Sequence, residues 1–219
     1  MNKIVIVGAS GLAKEIYFLI KEIIRNEEGK WEFLGFIDNE LSTGTHIIDN
    51  FNVIGNDDWV LSTIDQLNVV FGIGFPKLIK KLSMLYTKNE HLKFPNLIHP
   101  NATGDWENVN FGRGNIICAG VSMTTHIVFG SFNLINLNST IGHDTIIGNC
   151  NVFNPSVNVS GNVKIKNCTL LGTGCQVLQN IEFNTDHVIV GSSACVVKNI
   201  KSEGTYIGIP ARKFNINKI

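Results

Sequence analysis

The stretch Ile135-Asn-Leu-Asn-Ser-Thr-Ile141-Gly-His-Asp-Thr-Ile-Ile147-Gly-Asn-Cys-Asn-Val-Phe153 carries a large apolar residue at every sixth position. The series continues in both directions, through Phe111, Ile117, Met123 and Phe129 before it and Val159, Ile165, Leu171, Val177 and Phe183 after it. Neither the helical period nor the strand period produces a spacing of six. A unit of that length holds one short strand and one corner, and three units close a triangular coil of about 18 residues with the repeated apolar residue inside. The fourth position after it is small or β-branched in many units (Val121, Ser139, Thr145, Val157, Val163, Thr169, Cys175), which lets the corner close. Glycine often follows it directly, at Gly112, Gly130, Gly142, Gly148 and Gly172, and is expected to supply backbone conformations closed to other residues. Coils of this kind stack through parallel strand pairing at about 4.8 Å. The period slips once: Val190 follows Phe183 by seven, predicting a bulged corner between Thr185 and Val188. The series then passes Val196 and ends in Tyr206-Ile207-Gly208-Ile209-Pro210-Ala211-Arg212.

The residues before the array read differently. Lys3-Ile-Val-Ile-Val-Gly8 predicts a buried strand, Gly8-Ala-Ser-Gly11 a turn, and Leu12 to Arg25 an amphipathic helix with Ile16, Leu19, Ile20 and Ile23 on one face. Further strands are expected at Phe33 to Ile37, ending in Asp38-Asn39, and at Val69 to Ile73, ending at Gly74. A helix is expected at Lys77 to Tyr86, after Pro76. This β-α-β order is a small parallel α/β domain, half of a doubly wound nucleotide-binding fold. The expected division is a Rossmann-like domain over 1–97 and an all-β parallel helix over 98–219. No hinge is visible between Pro95 and Pro100, so the two are expected to pack directly.

Composition narrows the function. Eighteen basic residues balance 18 acidic ones, leaving no excess cation for a nucleic-acid backbone. No apolar stretch reaches the roughly 20 residues of a membrane span and no signal-peptide layout is present, so a cytoplasmic protein is expected. The five cysteines, an odd number without a CxxC pair, argue against a disulfide framework or zinc knuckle.

The short loop Gly8-Ala-Ser-Gly11 falls short of a full dinucleotide fingerprint. It is open to two readings, a phosphate-facing turn at a helix N-terminus or a structural turn. Asp38 at a strand end either accepts hydrogen bonds from a ribose or base or caps a turn. His143 falls at a prism corner, with Thr125 and Gly161 as its stacked neighbours and His126 beneath Asp144, so an Asp144–His126 contact is conceivable. A corner imidazole is either a solvated side chain or a base with an unperturbed pKa near neutrality. The cysteines of the array have no base beside them in sequence, which disfavours a covalent mechanism. His126, His143 and His187 share no column, which disfavours a zinc site.

The motifs Gly8-Ala-Ser-Gly11, Ile37-Asp-Asn39, Asn96-Leu-Ile-His-Pro100, Thr140-Ile-Gly-His-Asp144 and Gly208-Ile-Pro-Ala-Arg212 stand in one order along nearly the whole chain. Together they resemble the sugar O-/N-acyltransferases of the sialic-acid O-acetyltransferase type. These include N-acetyltransferases for nucleotide-linked 4-amino-4,6-dideoxy sugars of the bacillosamine and perosamine pathways. The resemblance implies a left-handed β-helix, a homotrimer, acetyl-CoA as co-substrate without a metal, and a role in surface-polysaccharide synthesis. It implies His143 as catalytic base oriented by Asp144. A nucleotide sugar would be bound by Gly8, Ser10, Gly11, Asp38, Asn39 and Gly74, and CoA by Gly161, Thr173 and Ser192; Arg212 and Lys213 either meet the CoA phosphates or belong to a solvated tail. Members often have histidine where this chain has Leu12 and Val152. Sialic-acid O-acetylation and a non-catalytic nucleotide-sugar scaffold remain alternatives.

Overall fold

The computed structural model describes residues 2–27 and 31–214. The first part is a six-stranded sheet flanked by helices. Its elements are β1 (Asn2–Val7), α1 (Gly11–Asn26), β2 (Trp31–Ile37), β3 (His46–Ile48), β4 (Phe51–Gly55), α2 (Asp57–Leu61), β5 (Leu67–Phe71), α3 (Pro76–Tyr86) and β6 (Leu92–Lys93). Sheet order is β3-β4-β2-β1-β5-β6, parallel except for the β3–β4 hairpin. The strands β1 and β2 and helices α1 and α3 stand where the hydrophobic pattern puts them, and β5 begins two residues before the expected Val69; β3, α2 and β6 are too short to show a period, and β4 is outside the expected elements.

The rest is a left-handed parallel β-helix with three faces. One face runs from Leu97–Ile98 through Ile116–Ile117, Leu134–Ile135, Val152–Phe153, Leu170–Leu171 and Val188–Val190 to Arg212–Lys213. The second stacks Ser122–Met123, Thr140–Ile141, Asn158–Val159, Gln176–Val177 and Cys195–Val196. The third runs from Val109–Phe111 to Glu182–Phe183. Register steps by a coil of 18, as in Ile141↔Val159, and by 19 in Leu171↔Val190, where the sequence slips. From Ile117 to Phe183 every sixfold residue is buried, and Phe111 at the open end is partly exposed. Each buried aliphatic side chain contributes about 1.5–3 kcal/mol relative to exposure.

The glycines work differently from the sequence expectation. Gly142 has an ordinary φ; the left-handed residue of that corner is Asp144, with φ 58°, and Cys150 takes the same place one corner on with φ 56°. Gly142 is needed for close approach, because a Cβ there would come within 2.5 Å of Gly161 N. Polar ladders at 18-residue spacing run along another edge, where Asn115, Asn133 and Asn151 are buried and stacked. The side chain of Asn133 donates to Asn115 Oδ1 at 2.9 Å, and that of Asn151 to Asn133 Oδ1 at 3.0 Å.

The α/β part packs directly on the first face. Leu134 and Val152 from that face, and Phe132, Cys150 and Cys168 from the corner beside it, belong to the same core as Ile4, Phe71 and Tyr86. Phe132 meets Phe71 and Phe94 at ring-centroid distances of 5.6 and 5.2 Å. Val152 is thus covered by core packing within the chain.

Candidate active site

His143 stands at the corner joining the second face to the third, opposite the face that the α/β part covers. Its side chain is 51 % exposed, and its Nδ1 lies 2.7 Å from Asp144 Oδ2. Asp144 is held from below, its N–H donating to Thr125 O at 3.2 Å. From above, Asn162 N–H donates to His143 O at 2.6 Å. Gly161, on the next coil, leaves the ring its space, since a Cβ there would lie 2.4 Å from Nε2. One ring nitrogen is therefore paired with a carboxylate and the other faces a cleared surface, the arrangement a general base requires.

His126 does not meet Asp144. Its Nδ1 pairs with Thr125 Oγ1 at 2.8 Å, and that hydroxyl donates to Asp105 Oδ2 at 2.6 Å. With its proton committed to Asp105, Thr125 accepts from His126, which fixes the tautomer. Thr125 and Asn108 hold the Asp105 carboxyl below the usual carboxylate range, with the His126 charge adding to it. Asp105 stands outside every motif read from the sequence.

The α/β part carries a second candidate region. A cleft of about 390 Å³ at the ends of β1, β2 and β5 is lined by Gly8, Ser10, Asp38, Asn39 and Gly74. Gly11 is the first residue of α1 and stands off its wall. Gly8 adopts φ +103°, and its N–H donates to Ile37 O at 2.8 Å, which ties the turn to the neighbouring strand. Ser10, on the cleft wall, precedes the 16-residue α1 in extended conformation without making a side-chain cap, so the first N–H groups of the helix have no cap from it. Asp38 fulfils the capping reading with one oxygen: Oδ1 accepts from Glu40 N at 2.9 Å and Leu41 N at 3.0 Å. Asn39 Oδ1 accepts from Asp57 N at 3.0 Å. Leu12 packs beside Gly74, whose Cβ would lie 3.4 Å from Leu12 Cδ2.

A larger cavity of about 610 Å³ opens between the start of α3 and the late coils of the first face, lined by Phe75, Lys77, Cys168, Leu170, His187 and Ile189 among others. Phe75, 70 % exposed, also lines the smaller cleft, so the two adjoin. His187 Nδ1 is buried there without a hydrogen-bond partner among the described residues. Sequence reading missed this cavity because it belongs to neither part alone.

Thr173 and Ser192 lie on the corner between the first and second faces, away from the corner of Gly161 and His143. Arg212 and Lys213 are exposed on the last strand, Arg212 donating to Ala211 O and Lys213 to Ser202 Oγ. Burial pushes the Cys118 and Cys175 thiols up to about 12 and Cys150 to about 11, far from nucleophilic thiolates. Among the described residues no cluster of three or more His, Cys, Asp or Glu could hold a metal.

Comparison with known proteins supplies the family context. Residues 3–84 match the family described as the PglD N-terminal domain. The acetyltransferase domain of PglB from Neisseria gonorrhoeae FA1090 superposes with a TM-score of 0.87 at 23 % identity, covering 98 % of this chain and 100 % of that one. PerB from Caulobacter crescentus, solved with CoA and GDP-perosamine, gives 0.87 at 24 % identity and 98 % coverage of both chains. WeeI from Acinetobacter baumannii AYE gives 0.81 at 26 % identity, covering 98 % of this chain and 100 % of its own. A search of curated protein sequences finds no match. The likeness to that family is confined to residues 3–84, and together with the β-helix behind them these residues give the chain the fold of the solved structures named above.

Proposed function

We propose that the chain is an acetyl-CoA-dependent N-acetyltransferase that acylates the amino group of a nucleotide-linked 4-amino-4,6-dideoxy sugar, with His143 as general base. One observation carries this: a half-exposed imidazole, anchored through Nδ1 to Asp144 and cleared at Nε2 by Gly161. The likeness to PerB, solved with CoA and GDP-perosamine, supports the substrate class.

The reaction is written as direct transfer. The neutral sugar amine attacks the thioester carbonyl and forms the C–N bond. Nε2 of His143 takes the proton, Asp144 stabilises the imidazolium, and the proton returns to the departing CoA sulfur as the C–S bond breaks. Among the described residues the Gly161 N–H has no hydrogen-bond partner, and Gly161 itself packs against the imidazole, which suits that N–H to receive the oxyanion. Base catalysis of this kind is worth about 10²–10⁴-fold, and approximation of two bound substrates supplies much of the rest.

The α/β part, 1–97 in this reading, binds the nucleotide sugar, and the β-helix, 98–219, carries the base. Within one chain the prism stands between the sugar cleft and His143. The working unit is therefore an oligomer, a homotrimer in this reading, in which His143 of one copy serves the cleft of another. CoA then lies between copies, with Gly161 from one side and Thr173 and Ser192 from the other. The cytoplasm supplies both substrates. A panel of UDP-, dTDP- and GDP-linked 4-amino sugars with acetyl-CoA, read by thiol release and product mass, tests the proposal. An acetylated amino sugar is expected. Turnover with sialic acid alone would make it an O-acetyltransferase, and no turnover at all would make it a scaffold.

A further inference from the structure

Two imidazoles stand one coil apart on the corner between the second and third faces, and they are built alike. The strand register places His126 beneath Asp144 and Thr125 beneath His143. The His143 ring is anchored through Nδ1 to Asp144 Oδ2 at 2.7 Å. The His126 ring is anchored through Nδ1 to Thr125 Oγ1 at 2.8 Å, and through that hydroxyl to Asp105 Oδ2 at 2.6 Å. Asn108 Nδ2 donates to the same Asp105 oxygen at 2.8 Å and holds the carboxylate in place. Because Thr125 donates to Asp105 and accepts from His126, the His126 proton sits on Nδ1 and the lone pair on Nε2. Both side chains are exposed, and neither Nε2 has a hydrogen-bond partner among the described residues. His126 thus repeats, through one hydroxyl, the acid-anchored imidazole of His143.

The chemistry has work for two bases. A primary amine is largely an ammonium at neutral pH. It loses one proton before it can attack and a second as the C–N bond forms. In the scheme above His143 takes the second, which leaves on the CoA thiol. The first has no acceptor there. Gly161, the oxyanion donor in that scheme, lies on the coil above His143. The attacking nitrogen is then left the side of the coil below, about 4.8 Å down by strand spacing, where His126 stands.

We propose that His126 is a second catalytic base, which takes a proton from the bound sugar ammonium and delivers the neutral amine to His143. This rests on the acetyltransferase reading above. One N–H bond of the ammonium breaks, its electron pair stays on nitrogen, and the proton goes to His126 Nε2. Two carboxylates face the imidazolium, Asp105 through Thr125 and Asp144 one coil above. The exposed ring then returns its proton to solvent. One ammonium and one thioester enter, and one amide, one thiol and one proton leave.

The pH profile of kcat/KM for the amino sugar tests this, in the wild-type full chain, His126→Asn, His126→Gly and His143→Ala. His126 has φ 56°, and Asn162 holds the same column with φ 54°, so asparagine and glycine both suit the corner. Either His126 variant should lose roughly tenfold or more near pH 6.5, where little free amine exists, and recover to within about twofold near pH 9, where solution supplies it. KM for acetyl-CoA should stay unchanged. His143→Ala should be depressed at both ends, because its proton leaves during bond formation. Wild-type profiles in the His126 variants, or an equal loss at both ends, overturn the second base and leave the His143 reading standing. If the wild-type chain acetylates no amino sugar at any pH, the acetyltransferase reading fails, and the second base with it.

Discussion

The imidazole of His143 lies over Gly161 so closely that one added methyl would sit 2.4 Å from Nε2. Replacing Gly161 by alanine therefore displaces the ring from its cleared position, while the prism, which does not need a left-handed residue there, stays intact. The expected result is a fall in kcat of roughly tenfold to a hundredfold, the range a misplaced base produces, with melting temperature little changed. Thiol-release kinetics beside a thermal scan measure both. Equal kcat in the variant would mean that the space above the ring plays no part in turnover.

Removing the ring itself is more severe. His143→Ala should lower kcat by roughly 10²–10⁴ and leave KM for acetyl-CoA close to wild type. The fold should survive, because the side chain is half exposed and its Asp144 partner is 60 % exposed. Circular dichroism and sedimentation verify the assembly. Wild-type turnover would remove His143 from the mechanism.

Much of this was visible in the sequence, for a physical reason. A sixfold apolar series is satisfied by burying one residue per unit, so Ile141, Ile147 and Phe153 mark the prism in the sequence itself. The same count placed Gly161 over His143. Other features depend on long-range placement. The seam of Phe71, Phe94 and Phe132 joins residues from both parts of the chain, and no local period announces it. The large cavity beside Phe75 and the carboxylate of Asp105 escaped for the same reason. The asparagine ladder was legible in principle, because Asn115, Asn133 and Asn151 recur at 18, but polar residues at corners read as solvated.

That ladder gives a stability prediction. Asn133 Oδ1 accepts from both the backbone N–H and the side-chain amide of Asn151, at 2.9 and 3.0 Å. Its own amide donates to Asn115 Oδ1 and to Gly148 O, each at 2.9 Å. Asn133→Ala leaves buried partners on both sides, at about 1–3 kcal/mol for each unsatisfied group. A loss of about 2–4 kcal/mol is expected by denaturant titration. An effect below about 0.5 kcal/mol, the scale of an ordinary surface substitution, would show that water replaces the ladder without cost.

Asp105 predicts a pH dependence. Hydrogen bonds from Thr125 and Asn108 lower its pKa in the folded chain below its unfolded value. The stabilisation it gives is present above the unfolded pKa, near 3.9, and is lost as pH falls through the depressed folded value. Wild type should therefore be the more stable of the pair with Asp105→Asn from neutrality to about pH 4, with protonation of His126 adding to the gap, and the two should converge below about pH 4. A gap that persisted or widened below about pH 4 would reverse the sign and refute the assignment.

The placement of the two candidate sites on opposite sides of the prism makes the strongest demand. If each sugar cleft is served by His143 of another copy, two inactive variants can repair one another. His143→Ala removes the base. Ser10→Trp fills the cleft without breaking a cap, since the Ser10 side chain caps nothing. Each homo-oligomer should be inactive, whereas co-expressed chains should form mixed oligomers in which some clefts are open and face an intact imidazole. Differently tagged copies allow purification of mixed oligomers only, and their turnover should rise well above either parent. If cleft and base worked within one chain, every chain in the mixture would lack one or the other and no activity could return. Co-purification without rescue would therefore place the reacting groups in a single chain, against the topology described above.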